Sequence, residues 1–228
     1  GLAADAASKE VIEVTNPATG AVIDTVPKAD GSDVKRAIAL AKEAQKEWVK
    51  IPVYKRVELL SHFLELVERD KEDLAQTLSQ ETGKPITEAR AEIGNIPIAF
   101  RAFSEKAKHL YGEMISGEQE AGQEKNVLLV KKEPLGVVAA IIPFNFPCDL
   151  FDQKVAPALL AGNACIVKPS TDNPLTLCKL SHLLNEAGVT AGAIEIVTGP
   201  GSTVGNALTA DPDVNLVTLT GSTDVGIE

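Results

Sequence analysis

The sequence is poor in the residues that build disulfide frameworks, metal centres and membrane spans. Its 228 residues include three cysteines, three histidines, one methionine and one tryptophan, and aromatic residues make up 4%. Cys148, Cys165 and Cys178 are odd in number and form no Cys-x-x-Cys pair. Neither a disulfide scaffold nor a zinc site is indicated, and a reducing, cytoplasmic setting is expected. His62, His109 and His182 stand singly, and each reads as an ordinary surface or core residue rather than a metal ligand. No stretch approaches the roughly 18–20 consecutive apolar residues of a membrane span. Basic side chains are outnumbered, 22 against 32 acidic, for a net charge of −10. That balance speaks against a nucleic-acid surface and against binding to anionic membrane. It leaves room for a phosphate-bearing ligand, because a few backbone N–H groups and one lysine suffice to hold one. The start, Gly1-Leu2-Ala3-Ala4-Asp5, has neither the basic nor the apolar region of a signal peptide and no methionine, so a processed or trimmed chain is expected.

What remains is an ordinary globular composition, 44% hydrophobic and 24% charged, enough for one or two domains with a real core. Residues 1–10 read as a flexible tail. Two β-branched runs, Val11–Val14 and Ala21–Val26, flank Asn16-Pro17-Ala18-Thr19-Gly20 and predict a hairpin. After Asp30-Gly31-Ser32, the residues Val34, Ile38, Ala41 and Trp48 share a helical face, and Pro52 is expected to stop that helix. A second helix is expected over about 54–68. A third, over about 71–80, is expected to be capped by Asp70 and closed by Gly83. A longer helical segment, about 86–110, contains Gly94 and Pro97, where a kink or break is expected. Residues 112–124 are polar and rich in Gly and Glu, and Val127–Val130 reads as a strand.

From residue 135 the texture changes. Gly136–Ile142 is a continuous apolar run, the pattern of a strand buried on both faces. Strands at 164–167, 194–197 and 216–219 alternate with helical segments at about 148–161, 174–187 and 202–209. Strict β-α alternation with short connections implies an α/β fold with a parallel sheet covered by helices.

Ligands of such sheets bind beyond the carboxyl ends of the strands, and chemistry-bearing residues follow each apolar run here. Pro143-Phe144-Asn145-Phe146-Pro147 holds Asn145 on a stiff bend. The same residues fit either an oxyanion donor or a plain structural turn, where Asn is common. Lys168-Pro169-Ser170-Thr171 suits a ribose or phosphate oxygen, although a lysine standing alone there would read as solvated. Gly199-Pro200-Gly201-Ser202-Thr203-Val204-Gly205 is close to the dinucleotide fingerprint, with its last glycine one place late. Gly221-Ser222-Thr223-Asp224-Val225-Gly226 is a small hydroxylated turn opening a helix, a setting that binds phosphate. Four candidates at four successive strand ends form a stronger signal than any one alone.

Together these residues resemble the aldehyde dehydrogenase superfamily, NAD(P)-dependent enzymes that oxidise aldehydes through a cysteine thiohemiacetal. The resemblance runs from Asn16-Pro17-Ala18-Thr19-Gly20 through Glu81-Thr82-Gly83-Lys84-Pro85 to the last residue. It is dense after residue 133, in Glu-Pro-Leu-Gly-Val-Val, Pro-Phe-Asn-Phe-Pro, Lys-Val-Ala-Pro-Ala-Leu-Leu-Ala-Gly-Asn, Val-Lys-Pro-Ser and Thr-Gly-Ser-Thr-Asp-Val-Gly. It implies a Rossmann-like sheet with flanking helices over 135–228, preceded by the hairpin and helices of 11–111. Residues 112–134 become an oligomerisation arm of a homo-oligomer, dimer or tetramer.

The resemblance also implies roles. Asn145 matches the oxyanion asparagine, and Lys154 a lysine near the active site. Ile141, Ile142, Pro143 and Phe144 match the segment along the cofactor. Lys168 matches the lysine on the adenine ribose, with Ser170 and Thr171 following it. Gly201 and Gly205 match small residues beside the adenosine, Ser222 the pyrophosphate turn, and Val225 its apolar neighbour. No metal is implied. Many members carry a ribose-binding glutamate where this chain has Thr171, which implies that NADP is tolerated or preferred beside NAD. Phe144 stands where many members have tryptophan, and in this the chain looks like the lactaldehyde or non-phosphorylating glyceraldehyde-3-phosphate branch.

The family's nucleophilic cysteine and general-base glutamate lie downstream of the Gly-Ser-Thr turn, in a separate catalytic domain. The chain is therefore expected to be the cofactor-binding part of a longer aldehyde-oxidising enzyme and inactive alone. Cys148, in a helix's first turn, is the best local thiol but has no base partner near it in sequence. The alternative is a stand-alone NAD(P)-binding or subunit-interaction module without catalysis.

Overall fold

The computed structural model describes residues 6–227. The first five residues of the expected tail, and Glu228, lie outside the described residues. Of the rest of that tail, Ala6 is buried, and the Ala7 N–H donates to both Asp33 carboxylate oxygens at 3.1 and 3.3 Å.

Strands β1 (Val11–Thr15) and β2 (Val22–Pro27) pair antiparallel around the Asn16 turn, where the Asn16 side chain accepts from the Ala18 N–H. Four helices follow: α1 (Gly31–Trp48), α2 (Val53–Arg69), α3 (Lys71–Thr82) and α4 (Ile86–Ala107). Asp30 and Asp33 close a reciprocal capping box at the head of α1. Asp70 does not cap α3 as expected, because Arg69 engages both of its carboxylate oxygens at 2.7 Å. Gly83 does end α3, in the left-handed conformation with φ 74°. Its missing side chain has a second use, since a Cβ there would lie 2.8 Å from the Pro17 ring.

The expected break in the fourth helix does not occur. α4 runs through Gly94 and Pro97, and Ile93, Ile96 and Phe100 on either side are fully buried. That burial, largely against the later helix Pro147–Leu160, offsets the hydrogen bond that the proline removes.

The chain then leaves the body in a two-stranded ribbon, β3 (Glu113–Ser116) with β4 (Val127–Val130). It returns as β5 (Val137–Ile141), α5 (Pro147–Leu160), β6 (Ala164–Lys168), α6 (Leu175–Glu186), β7 (Ile194–Ile196), α7 (Asn206–Ala210), β8 (Leu216–Leu219) and α8 (Thr223–Ile227). The last four strands form one parallel sheet in the order β7-β6-β5-β8. This is the α/β, Rossmann-like arrangement expected.

Alternation along the strands divides the core. Val138, Ala140, Cys165 and Val167 pack with α2, α3, α4, α5 and α6. Val137, Ala139, Ala164 and Ile166 pack with α1 and α7 on the other face. Both faces are covered, which is why the runs read as uninterrupted apolar segments. Side chains tie the helical layer to the sheet unit: Trp48 Nε1 donates to the Leu159 carbonyl at 2.9 Å, and Arg56 Nε to the Leu160 carbonyl at 3.1 Å. Among the described residues no helix is long and apolar enough to cross a membrane.

Candidate active site at the mouth of the parallel sheet

In the strand order β7-β6-β5-β8 the chain reverses direction across the sheet between β5 and β8. Such a switch point opens a crevice at the carboxyl ends of the two strands. The residues after β5 and β8 line it. The Thr220 N–H donates to the Ile141 carbonyl at 3.2 Å and the Ile142 N–H to the Lys168 carbonyl at 3.0 Å, so three strand exits are stitched together.

Lys154 enters from α5. Its ammonium is buried and donates to the Thr220 hydroxyl at 2.6 Å, and burial pushes its pKa down. Lys168, at the end of β6, is also buried, with its Nζ donating to the Pro169 carbonyl at 2.8 Å. Burial lowers its pKa too, against a smaller opposing effect of Asp172. Its stem passes Gly205, where a Cβ would come 3.9 Å from the lysine Cδ. Gly201–Gly205 is a wide π-type turn leading into α7, not the ordinary helix expected from 202, and among the described residues nothing outside the turn's own local backbone lies within 4 Å of a Cβ placed on Gly201. Wide turns of this kind are frequent at functional sites. The Thr171 hydroxyl donates to the Gly199 carbonyl at 3.3 Å, and the Ser170 hydroxyl accepts the Asp172 N–H at 3.5 Å.

Thus Lys168, Thr171 and the 199–205 turn come together, as do Ile141, Ile142 and Lys154 with Thr220. The Pro143–Pro147 bend stands beside them with Phe144, Asn145 and Phe146 exposed. Asn173 Nδ2 donates to the Phe144 carbonyl at 2.8 Å, and Lys84 Nζ to the Asn145 carbonyl at 3.1 Å. The Ser222 hydroxyl, just before the short α8, accepts the N–H of Val225 within it at 3.4 Å; both residues are exposed, and no hydrogen bond joins them to Lys168 among the described residues. The surface around them, including Leu216, Val217 and Ile227, is exposed and apolar.

The local thiol fails as a nucleophile. Cys148 is fully buried, its N–H is taken by Glu92, and burial together with Glu92 and Glu81 drives its pKa up. Cys165 is pushed up to about 12 by burial, as is Cys178. A helix head lowers a thiol pKa only where the thiol keeps some contact with water.

Three polar residues around the site were not selected from sequence as site residues: Lys84, Glu92 and Asn173. Their partners are 61, 56 and 29 residues away, and no local pattern announces such contacts. Separately, a cavity of about 540 Å³ opens along the edge of β7 between α1 and α6; Cys178 and His182 line it, but none of the site residues selected from sequence does.

The family model for the aldehyde dehydrogenase family matches residues 3–228. The chain belongs to the aldehyde dehydrogenase family. It is 40% identical over 226 residues, 99% of the chain, to the 3-sulfolactaldehyde dehydrogenase of Pseudomonas putida. It is 38% identical over 222 residues, 97% of the chain, to the NADP(+) succinate-semialdehyde dehydrogenase of Escherichia coli strain K12. The chain spans 46% and 45% of the lengths of these two relatives. Among solved structures it matches the NADP-dependent glyceraldehyde-3-phosphate dehydrogenase from Bacillus halodurans C-125, complexed with NADP, with a TM-score of 0.94 at 37% identity. That match covers 98% of this chain and 47% of the other.

Proposed function

We propose that the chain binds NAD or NADP at the mouth of its parallel sheet and is the cofactor-binding part of an enzyme that oxidises a small aldehyde to a carboxylate or acyl product. The observation that carries this is the meeting of Lys168, Thr171 and the 199–205 turn beside the β5/β8 switch point. The residues fit a dinucleotide. Lys168 is a buried ammonium whose one hydrogen-bond acceptor among the described residues is a carbonyl, so donors remain for ribose hydroxyls. Gly201 leaves open space in which a flat ring can approach the backbone. When bound, the nicotinamide supplies the hydride acceptor. Ile141, Ile142, Pro143 and Phe144 form the wall along it. Ser222 and Val225 close the phosphate side. The Asn145 amide donates to the oxygen on which negative charge develops. Lys154 holds Thr220 and so the exit of β8.

Thr171 supplies no carboxylate to repel a 2′-phosphate, so NADP is accepted. The nucleophile and general base are assigned to the remainder of a longer polypeptide, and the free thiols support a cytoplasmic location. The test is calorimetric titration of the protein with NADP and NAD. Binding of NADP is expected, with Lys168→Met weakening it about tenfold, the loss of roughly one charged hydrogen bond. Absence of binding at millimolar concentrations of both defeats the reading, and NAD bound at least tenfold tighter than NADP defeats the NADP part of it.

A second reading, a subunit-interaction module, is favoured by the β3–β4 ribbon. Met114, Val127, Leu128, Leu129 and Val130 are all exposed on it. We assign this ribbon to homo-oligomer formation, dimer or tetramer. Leu129→Asp is expected to shift the sedimentation coefficient to that of the monomer.

A further inference from the structure

The motif Glu81-Thr82-Gly83-Lys84-Pro85 has no part in the cofactor site, yet its ionisable residues reach across the fold. Glu81 accepts the N–H groups of Leu175 and Thr176 at 2.7 and 2.9 Å and the Thr176 hydroxyl, capping α6 from α3. Lys84 makes an ion pair with Glu92, donates to the Asn145 carbonyl at 3.1 Å, and stands 4.8 Å over the Phe146 ring. The other oxygen of Glu92 accepts the Cys148 N–H at 2.8 Å. One carboxylate therefore bridges the lysine and the first turn of α5. Both partners are withdrawn from water, with side-chain exposures of 12% and 2%.

Pro143 and Pro147 bound the bend these groups hold, and Pro147 and Cys148 are buried, but its middle has little else to hold it. Phe144 and Phe146 are 65% and 53% exposed, so burial of aromatic surface does not anchor the segment. The fixed points are polar: Asn173 on the Phe144 carbonyl, Lys84 on the Asn145 carbonyl, and Glu92 on the Cys148 N–H. The Asn145 side chain makes no hydrogen bond among the described residues, and the residue is exposed. Its backbone is gripped while its amide is left free. A buried ion pair is a poor device for stability alone, because well-packed apolar residues often serve as well. It is a good device for fixing geometry, since its hydrogen bonds are directional.

We propose that Lys84 and Glu92 are positioning residues that clamp the Pro143–Cys148 segment and so set the direction in which Asn145 presents its amide. The catalytic sense of this rests on the reading of Asn145 given above, whereas the clamp itself does not. The test is amide hydrogen exchange on the 228-residue chain. Lys84→Met alone leaves a buried carboxylate without its partner and risks unfolding. The double variant Lys84→Met/Glu92→Gln removes both charges and keeps the shape. Exchange at Cys148, whose N–H Glu92 accepts, and at Leu150, whose N–H the Phe146 carbonyl accepts, is expected to rise at least tenfold in the double variant, while β6 and α6 stay within twofold. Lys84→Arg is expected to stay within threefold of the wild type. Unchanged exchange at these two amides overturns the proposal, and so does an equal rise throughout the chain. In the complete enzyme the double variant is expected to lower kcat at least tenfold with the KM for NADP within threefold, and an unchanged kcat overturns the positioning role. A wild-type protein that does not bind NADP defeats the cofactor reading instead, and the exchange result still decides the clamp.

Discussion

Strands β4 and β6 are both short apolar runs, Val-Leu-Leu-Val and Ala-Cys-Ile-Val-Lys. Every residue of β6 is buried and every residue of β4 is exposed. β6 lies between β5 and β7, with α1 on one face and α5 and α6 on the other. β4 pairs with β3 and with no other strand among the described residues. The difference shows that an apolar run records a demand for burial, and that the neighbours decide whether the chain itself meets it. In β4 the demand is unmet within the described residues, and this is what makes the ribbon an interface candidate.

Substitutions can break this comparison. Ile166→Ala in β6 is expected to cost about 2–5 kcal/mol, the usual range for emptying a fully buried aliphatic site. Leu129→Ala, at a residue 78% exposed, is expected to change monomer stability by about 0.5 kcal/mol or less. Urea unfolding at low protein concentration measures both. Equal costs would mean that the ribbon is buried even in the monomer.

The same contrast can be sharpened with charge. Lys84→Met alone is expected to destabilise by about 3–5 kcal/mol because it leaves the Glu92 carboxylate buried and uncompensated. Removing either partner of an exposed pair such as Lys46–Glu43 is expected to cost about 0.5 kcal/mol or less. Thermal melts that do not separate the two would refute the difference.

A smaller effect is expected from pH. Asp152 on α5 is buried, its Oδ1 has no partner among the described residues, and burial with help from Asp149 and Glu92 raises its pKa to about 8. An acid raised in the folded state keeps a proton that the unfolded chain has released. Its penalty is absent below about pH 4 and grows until about pH 8, so stability falls as pH rises through that window. Asp152→Asn is expected to flatten the decline in Tm between pH 5 and 8, and identical profiles for the two proteins would exclude Asp152 as its source.

Much of the fold was legible because its determinants are local. The left-handed Gly83, the runs at 137–141 and 216–219, and the residues that follow them were all readable in order. What escaped reading was decided at a distance. Asp70 has the right chemistry for a cap, but Arg69 takes it. Pro97 should break a helix, but the burial of Ile93, Ile96 and Phe100 holds it together. Cys148 sits where a helix should acidify a thiol, but burial takes it out of water, and Glu92, 56 residues earlier, occupies the N–H and adds a negative charge. In the site, the strand-end residues were visible as a pattern, whereas the lysine and glutamate that hold Asn145 in place belong to another layer.

The two capping glutamates also impose an order in time. Glu81 and Glu92 precede the groups they meet, Leu175 and Cys148, by 94 and 56 residues. At ribosomal speeds of about 5–20 residues per second, each carboxylate waits roughly 3 to 20 s for its partner to be synthesised. During that interval the N-terminal helices carry two acidic groups destined for burial: Lys84 is already made to pair with Glu92, but the N–H groups that both carboxylates accept are not. A nascent chain halted before residue 148 thus lacks the helix heads that these carboxylates cap, and the emergence of α5 and then α6 supplies them.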